Sequence, residues 1–310
     1  MDQEIEPSLD NGEGREEQTE ERPEAEQARK KKLGARGIAT IVVAAIVATG
    51  GIGYWYVNYQ VPHNEAVASC NAAAESLESR NEELDEAIAS LQEVLKSGEN
   101  PLDPAVADAA SAAIGDAQGA KEDVPDVTGT TEELNALAGE MESMGDYTVQ
   151  LEALAAAQQN LENSIARLKQ VTNPSEQFVI QRLTGLPNVT AIEAVTETND
   201  PNGQLGKAGG YTSTVYFTSD LVNQAEVYLT GEYTPIVDAG CDGGGAIEVY
   251  ANAEDAQKRN DYLASFDGSI FSSGSHAVVG SCLVRTSTHL TASQQQALQQ
   301  SIIDSLIRLD

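Results

Sequence analysis

From Gly37 to Val57 the chain carries no charged side chain and is dominated by Ile, Val, Ala and Gly. A helix of this length spans roughly 30 Å, the thickness of a bilayer's hydrocarbon core. The two flanks differ. Arg29, Lys30, Lys31, Lys32 and Arg36 precede the run, and Tyr54, Trp55, Tyr56 and Tyr59 crowd its far end. Basic residues stay on the cytoplasmic side and amphipathic rings favour the headgroup layer. The pattern therefore predicts a single-pass anchor over 37–57, with the N-terminus cytoplasmic and the remainder extracytoplasmic. An export signal has a shorter apolar region and a small-residue cleavage site, whereas this run ends in aromatics. Late cleavage is the competing reading. Ala44, Ala48 and Gly51 to Gly53 would let a second helix approach closely.

After Pro62 the pattern becomes helical. Cys70, Leu77, Leu84 and Leu91 recur every seven residues, interleaved with Ala74, Asn81, Ile88 and Leu95. This 3-4 alternation predicts a coiled-coil seam from near Asn64 to Ser97. Asp103 before Pro104 reads as a cap with proline at the first helical position, opening an Ala-rich helix to about Lys121. Thr130 and Glu133 form a capping box for a long helix to about Val171, whose register slips near Tyr147 and implies two packing partners. None of these single apolar stripes is stable alone, so a three-helix antiparallel bundle over 64–172 is expected. Parallel pairing with another subunit is the alternative, and it would allow self-association through this stalk.

From residue 173 the pattern is that of an α+β domain. Asn173 reads as the cap of a short helix with Pro174 in its first turn. "VTAIEAVTE" (189–197) and "YTSTVYFTS" (211–219) read as strands, and "GGGAIEVY" (243–250) as a glycine turn followed by a strand. "NAEDAQKRNDYLASF" (252–266) is an amphipathic helix capped by Asn252. "HAVVGSCLV" (276–284) is apolar on both faces and reads as one central strand. Thr291 and Gln294 form a capping box for a last helix. The predicted order is α-β-β-β-α-β-α, one sheet with helices mainly on one face.

Charge changes the picture. The chain carries a formal charge of -31. Beyond the apolar run there are eleven basic against thirty-eight acidic residues, a net of −27. So acidic a surface repels phosphate backbones and excludes nucleic acid as a partner. Residues 1–28 hold eleven acids and few large apolar side chains. They cannot bury enough surface to fold, so 1–36 reads as a disordered acidic cytoplasmic tail ending in the basic cluster.

"GGGAIEVYANAEDAQKRNDYLASFDG" and "GSHAVVGSCLVRTSTHLTASQQQAL" resemble the C-terminal domain of uncharacterised membrane-anchored, extracellular-matrix-binding-like surface proteins of Gram-positive bacteria. The resemblance covers about 174–307. It implies a location and an architecture, and it supplies no catalytic residues.

Candidate chemistry is sparse. "GCDGGG" (240–245) precedes a strand rather than opening a helix, so it reads as a turn and not as a phosphate loop. "NDPNG" (199–203), with Asp238 and Asp242, offers oxygen atoms but lacks EF-hand spacing. His63, His276 and His289 form no metal-ligand spacing, and no GxSxG occurs. His276 lies on a strand of otherwise apolar residues and His289 in a turn beside Thr288, and both read as structural or solvated rather than catalytic. Arg285 reads as pairing with a local acid. No catalytic residue, metal or cofactor is expected. Cys241, just before the glycine run, and Cys282, in the 276–284 strand, are the disulfide candidates if the two strands are neighbours, with three free thiols as the alternative, while Cys70 sits in the stalk seam as a free thiol.

The sequence thus predicts a non-enzymatic envelope protein presenting an α+β domain on a helical stalk. The expected partners are the lipid bilayer and a protein or cell-wall component outside. The alternative is a transmembrane sensor or regulator that couples the outer domain to a cytoplasmic protein through the acidic tail.

Overall fold

A computed structural model of the 310-residue chain describes residues 47–227, 236–269 and 272–310. The expected acidic tail, the basic cluster and residues 37–46 of the expected span lie outside the described residues. The chain divides into two compact units, Met1–Asn64 and Glu65–Asp310.

In the first unit, residues 47–55 are helical and Tyr56–Gln60 form a π-helical turn. Ile52, Tyr54, Trp55, Tyr56, Val57 and Tyr59 are each more than half exposed. A Cβ added at Gly51 or Gly53 would meet nothing, so no second helix packs there among the described residues. Among those residues no helix is long and apolar enough to cross a membrane.

The second unit begins with a bundle that packs within one chain. Helix α1 (Val61–Lys96) buries Cys70, Leu77, Leu84, Ile88 and Leu91, the expected seam. Helix α2 (Ala105–Ala120) folds back along its C-terminal half and places Ala110, Ile114 and Ala117 against Leu84, Ile88 and Leu91. The helix expected over 130–171 is instead two: α3 (Thr131–Ser143) and α4 (Thr148–Gln170). Gly145 breaks it with a left-handed φ of 72°, and Asp146 accepts from Thr148 N–H to open α4. The register slip marks this break, and the two helices pack on different stretches of α1, the second also on α2. Leu134, Ala138 and Met141 pack on Ala66 to Leu77, and Leu154 and Leu161 pack on Leu84 to Leu91. The Thr130–Glu133 capping box is formed.

A buried polar group sits beside the break. Tyr147 Oη donates to Asn81 Oδ1 at 2.6 Å and accepts Glu122 N–H at 3.0 Å, while Asn81 Nδ2 donates to Glu122 O at 2.9 Å. Tyr147→Phe leaves one acceptor and one donor without a partner, for an expected loss of about 1–3 kcal/mol. A lower thermal unfolding midpoint with unchanged helical circular dichroism would be the result.

The remainder is an α+β domain on one antiparallel sheet. Its strands are β1 (Ala191–Ala194), β2 (Tyr211–Thr218), β3 (Gly244–Tyr250), β4 (His276–Val279) and β5 (Cys282–Thr286), in spatial order β1-β2-β3-β5-β4. The segment read as a single central strand, 276–284, is a hairpin instead. Gly280 takes φ 58° at its turn, and a Cβ there would lie 2.5 Å from the Val171 carbonyl.

One sheet face carries Val215, Phe217, Ile247, Val249, Cys282 and Val284 into the main core. Helix α5 (Glu176–Leu183) and the C-terminal α9 (Ala292–Ile307) cover it. Ser175, rather than Asn173, caps α5, since Asn173 is held at φ 47° with its N–H on Ser281 Oγ. Val171, just after α4, lies in this core, and Ser281 N–H donates to its carbonyl at 2.9 Å. Bundle and domain therefore share packing, and no linker separates them at residue 172. Between β2 and β3 lie two short helices, α6 (Gln224–Val227) and α7 (Ile236–Ala239), and a 3-10 turn, Gly240–Gly243. Helix α8 (Ala253–Ala264) packs on the opposite face, capped by Asn252 as expected.

Candidate functional site

That opposite face holds a charge that the hydrophobic pattern does not suggest. Glu248 alternates with Ala246 and Tyr250 along β3, away from the main core, and is fully buried. Its Oε1 accepts Arg285 Nη1 at 2.6 Å from β5. Its Oε2 accepts Tyr250 Oη at 2.7 Å and Arg259 Nε at 3.2 Å from α8. Burial alone would push the Glu248 carboxyl up, but Arg285 and then Arg259 outweigh it and hold the group below the usual glutamate range. Burial and the neighbouring carboxylate push the Tyr250 hydroxyl well above its ordinary value, so it stays a donor.

A second structure faces this cluster. The loop between β1 and β2 is organised by Asp200, whose Oδ1 accepts Asn202 N–H and the Tyr211 hydroxyl, and whose Oδ2 accepts Leu205 N–H at 2.8 Å. Gly206 N–H closes the loop onto Tyr211 O at 2.9 Å. Gly210 is required by space: a Cβ there would fall 2.1 Å from the Gln204 carbonyl oxygen. Between this loop and α8 opens a cleft of about 360 Å³. Tyr211 and Tyr250 form its floor, edge to face at 6.4 Å between ring centroids. Asp255, Lys258, Arg259 and Tyr262 line the α8 wall, recurring at helical spacing on one side of that helix. Asn202 and Gln204 line the other wall.

The residues singled out in the sequence are scattered. Cys241 and Cys282 are both free, which overturns their pairing. Strands β3 and β5 are neighbours, as the pairing required, but their register sets Val249 opposite Cys282 and Gly245 opposite Thr286. Cys241 lies in the Gly240–Gly243 turn that precedes β3, whereas Cys282 sits opposite Val249 near the far end of that strand. They also lie on opposite faces: Cys282 in the main core, Cys241 against Tyr216 and Ala246. Burial pushes the Cys282 thiol up to about 12 and desolvation pushes Cys241 up to about 11, so both are protonated at neutral pH. Cys70 is a buried free thiol in the bundle.

Asp200 is fully engaged by its own loop, and Asp242 lends only its carbonyl, to Ser287 Oγ. His276 bonds Asn260 and Asp267 from β4. The acid that pairs with Arg285 is thirty-seven residues away in sequence, not local. Sequence reasoning missed Glu248, Arg259 and the three tyrosines of the cleft. The available signal was a single acid and a single base set in the otherwise uncharged strands "GGAIEVY" and "CLVRT". Comparison with known protein families, characterised proteins and solved structures finds no match to the chain.

Proposed function

We propose that the chain is a non-enzymatic, membrane-anchored envelope protein whose helical bundle carries an outward-facing α+β binding domain. The cleft between the β1–β2 loop and α8 is the binding site in this reading. The observation that carries it is the construction of that cleft. The buried Glu248–Arg285 pair, extended to the half-buried Arg259, fixes its floor and one wall, while the opposite wall is a loop tied down by Asp200. A rigid polar concavity of this size suits recognition of a small polar group. The anchor reading is supported by the exposed Ile52, Tyr54, Trp55, Tyr56, Val57 and Tyr59, apolar and aromatic side chains for which a bilayer and its headgroup layer are the natural environment. The Tyr211 and Tyr250 hydroxyls in the cleft donate to Asp200 and Glu248 and are held protonated by burial, so binding and not turnover is proposed.

Topology tests the placement. Protease added to intact spheroplasts should digest a tag at Asp310 and spare one at residue 2. Digestion of the N-terminal tag with survival of the C-terminal one would reverse the orientation.

A further inference from the structure

The cleft has a guanidinium edge left over, while each of its carboxylates already holds donors. Glu248 takes Arg285, Arg259 and Tyr250. Asp255 takes Lys258 on Oδ1 and Asn252 on Oδ2. Asp200 is filled by Tyr211 and two loop N–H groups. Arg259, by contrast, uses only Nε, and among the described residues neither of its Nη groups has a hydrogen-bond partner. The Gln204 amide has none either, and Lys258, 63% exposed and paired with Glu254 and Asp255, reaches the mouth of the cleft.

Charge points the same way. The single negative charge of Glu248 meets two guanidinium groups, and Arg285 at 2.6 Å is the closer. Arg259 joins the cluster through Nε alone, which leaves both its Nη groups without a partner among the described residues. Its position is fixed twice, by Nε on Glu248 and by its Cζ lying 5.3 Å from the centroid of the Tyr262 ring. A planar fork held in advance loses little freedom on binding and matches a planar acceptor of opposite charge.

We propose that this cleft binds a ligand through a free carboxylate, seated on the Arg259 Nη groups, with Lys258 as second cation and Gln204 as amide donor. The proposal rests on the reading of the cleft as the binding site and names its ligand class. A volume of about 360 Å³ admits a small organic acid or the last residues of a peptide, which share the carboxylate.

Ligand-observed saturation-transfer NMR on the full chain separates these sources. The probes are succinate and succinamide, and N-acetyl-dialanine with a free C-terminus and as its amide. At least one carboxylate should bind, with its amide partner about tenfold weaker or worse. Arg259→Lys keeps a positive charge but loses the fork, and should weaken the carboxylate by a similar factor. Should that variant not fold, Tyr262→Ala leaves every Glu248 contact in place and should still reduce binding. Equal binding of acid and amide, no binding of either acid, or a full signal from Arg259→Lys would overturn the proposal. Reversed protease topology with carboxylate binding intact would overturn the membrane placement alone.

Discussion

Glu248→Gln is expected to destabilise the second unit by about 3–5 kcal/mol, because it removes one partner from a buried ion cluster and strands the other. Glu248 is fully buried and Arg285 is 8% exposed, so water cannot replace the lost carboxylate. Arg285 already has one buried nitrogen, Nε, without a partner, so the variant leaves a guanidinium with little to hold it. Exchanging both residues for leucine should recover much of the loss, since buried pairs often give way to apolar groups at little net cost. Urea unfolding midpoints of wild type, single and double variants decide this. A single variant as stable as wild type would mean that water enters the face beneath α8.

The same pair gives a pH dependence of definite sign. Burial raises the Glu248 carboxyl and the two arginines more than offset it, so the native value is depressed. A depressed carboxyl contributes stability that is complete above its unfolded value of about 4.3 and disappears as pH falls through the native one. The gap between wild type and Glu248→Gln should therefore be constant from neutral pH down to about pH 5 and narrow in more acid solution.

The helices were readable because their signals are local. The boxes at Thr130–Glu133 and Thr291–Gln294 and the Asn252 cap each fall within one turn, the seam of α1 repeats every two, and all form. The errors fall where a single residue switches the chain's direction. Gly280 turns a run apolar on both faces into the β4–β5 hairpin, and Gly145 splits one periodic segment into α3 and α4. The apolar run continues unbroken through Gly280, and near Gly145 the slip in register marks the place without showing that the helix ends there. The disulfide failed on register. The pairing required adjacent strands, which β3 and β5 are, but which residues face each other depends on pairings that no short segment encodes. The cleft was illegible for the same reason. Arg259 and Tyr262 look like the solvent face of α8 until Glu248 and the Asp200 loop are placed beside them.

Phe217→Ala should cost about 3–5 kcal/mol, comparable to the loss of Glu248 but on the other face of the sheet. Phe217 is fully buried on β2, opposite Ile192 of β1 and Gly245 of β3. Its ring lies over the glycine, since a Cβ added at Gly245 would stand 2.5 Å from Phe217 Cζ. Truncation thus opens a cavity above bare backbone, with no neighbouring side chain at Gly245 to collapse into it. Part of the "GGG" run, read as a turn, is a strand kept bare to receive this ring. Gly245→Ala cannot refill the space, because the same Cβ would also lie 2.2 Å from the Arg285 carbonyl oxygen on β5. Removing the ring relieves one clash and leaves the backbone one. The double variant Phe217→Ala/Gly245→Ala is therefore expected to be no more stable than Phe217→Ala by thermal and urea unfolding. A double variant restored to wild-type stability would mean that β3 and β5 do not approach as closely at Gly245 as their register demands.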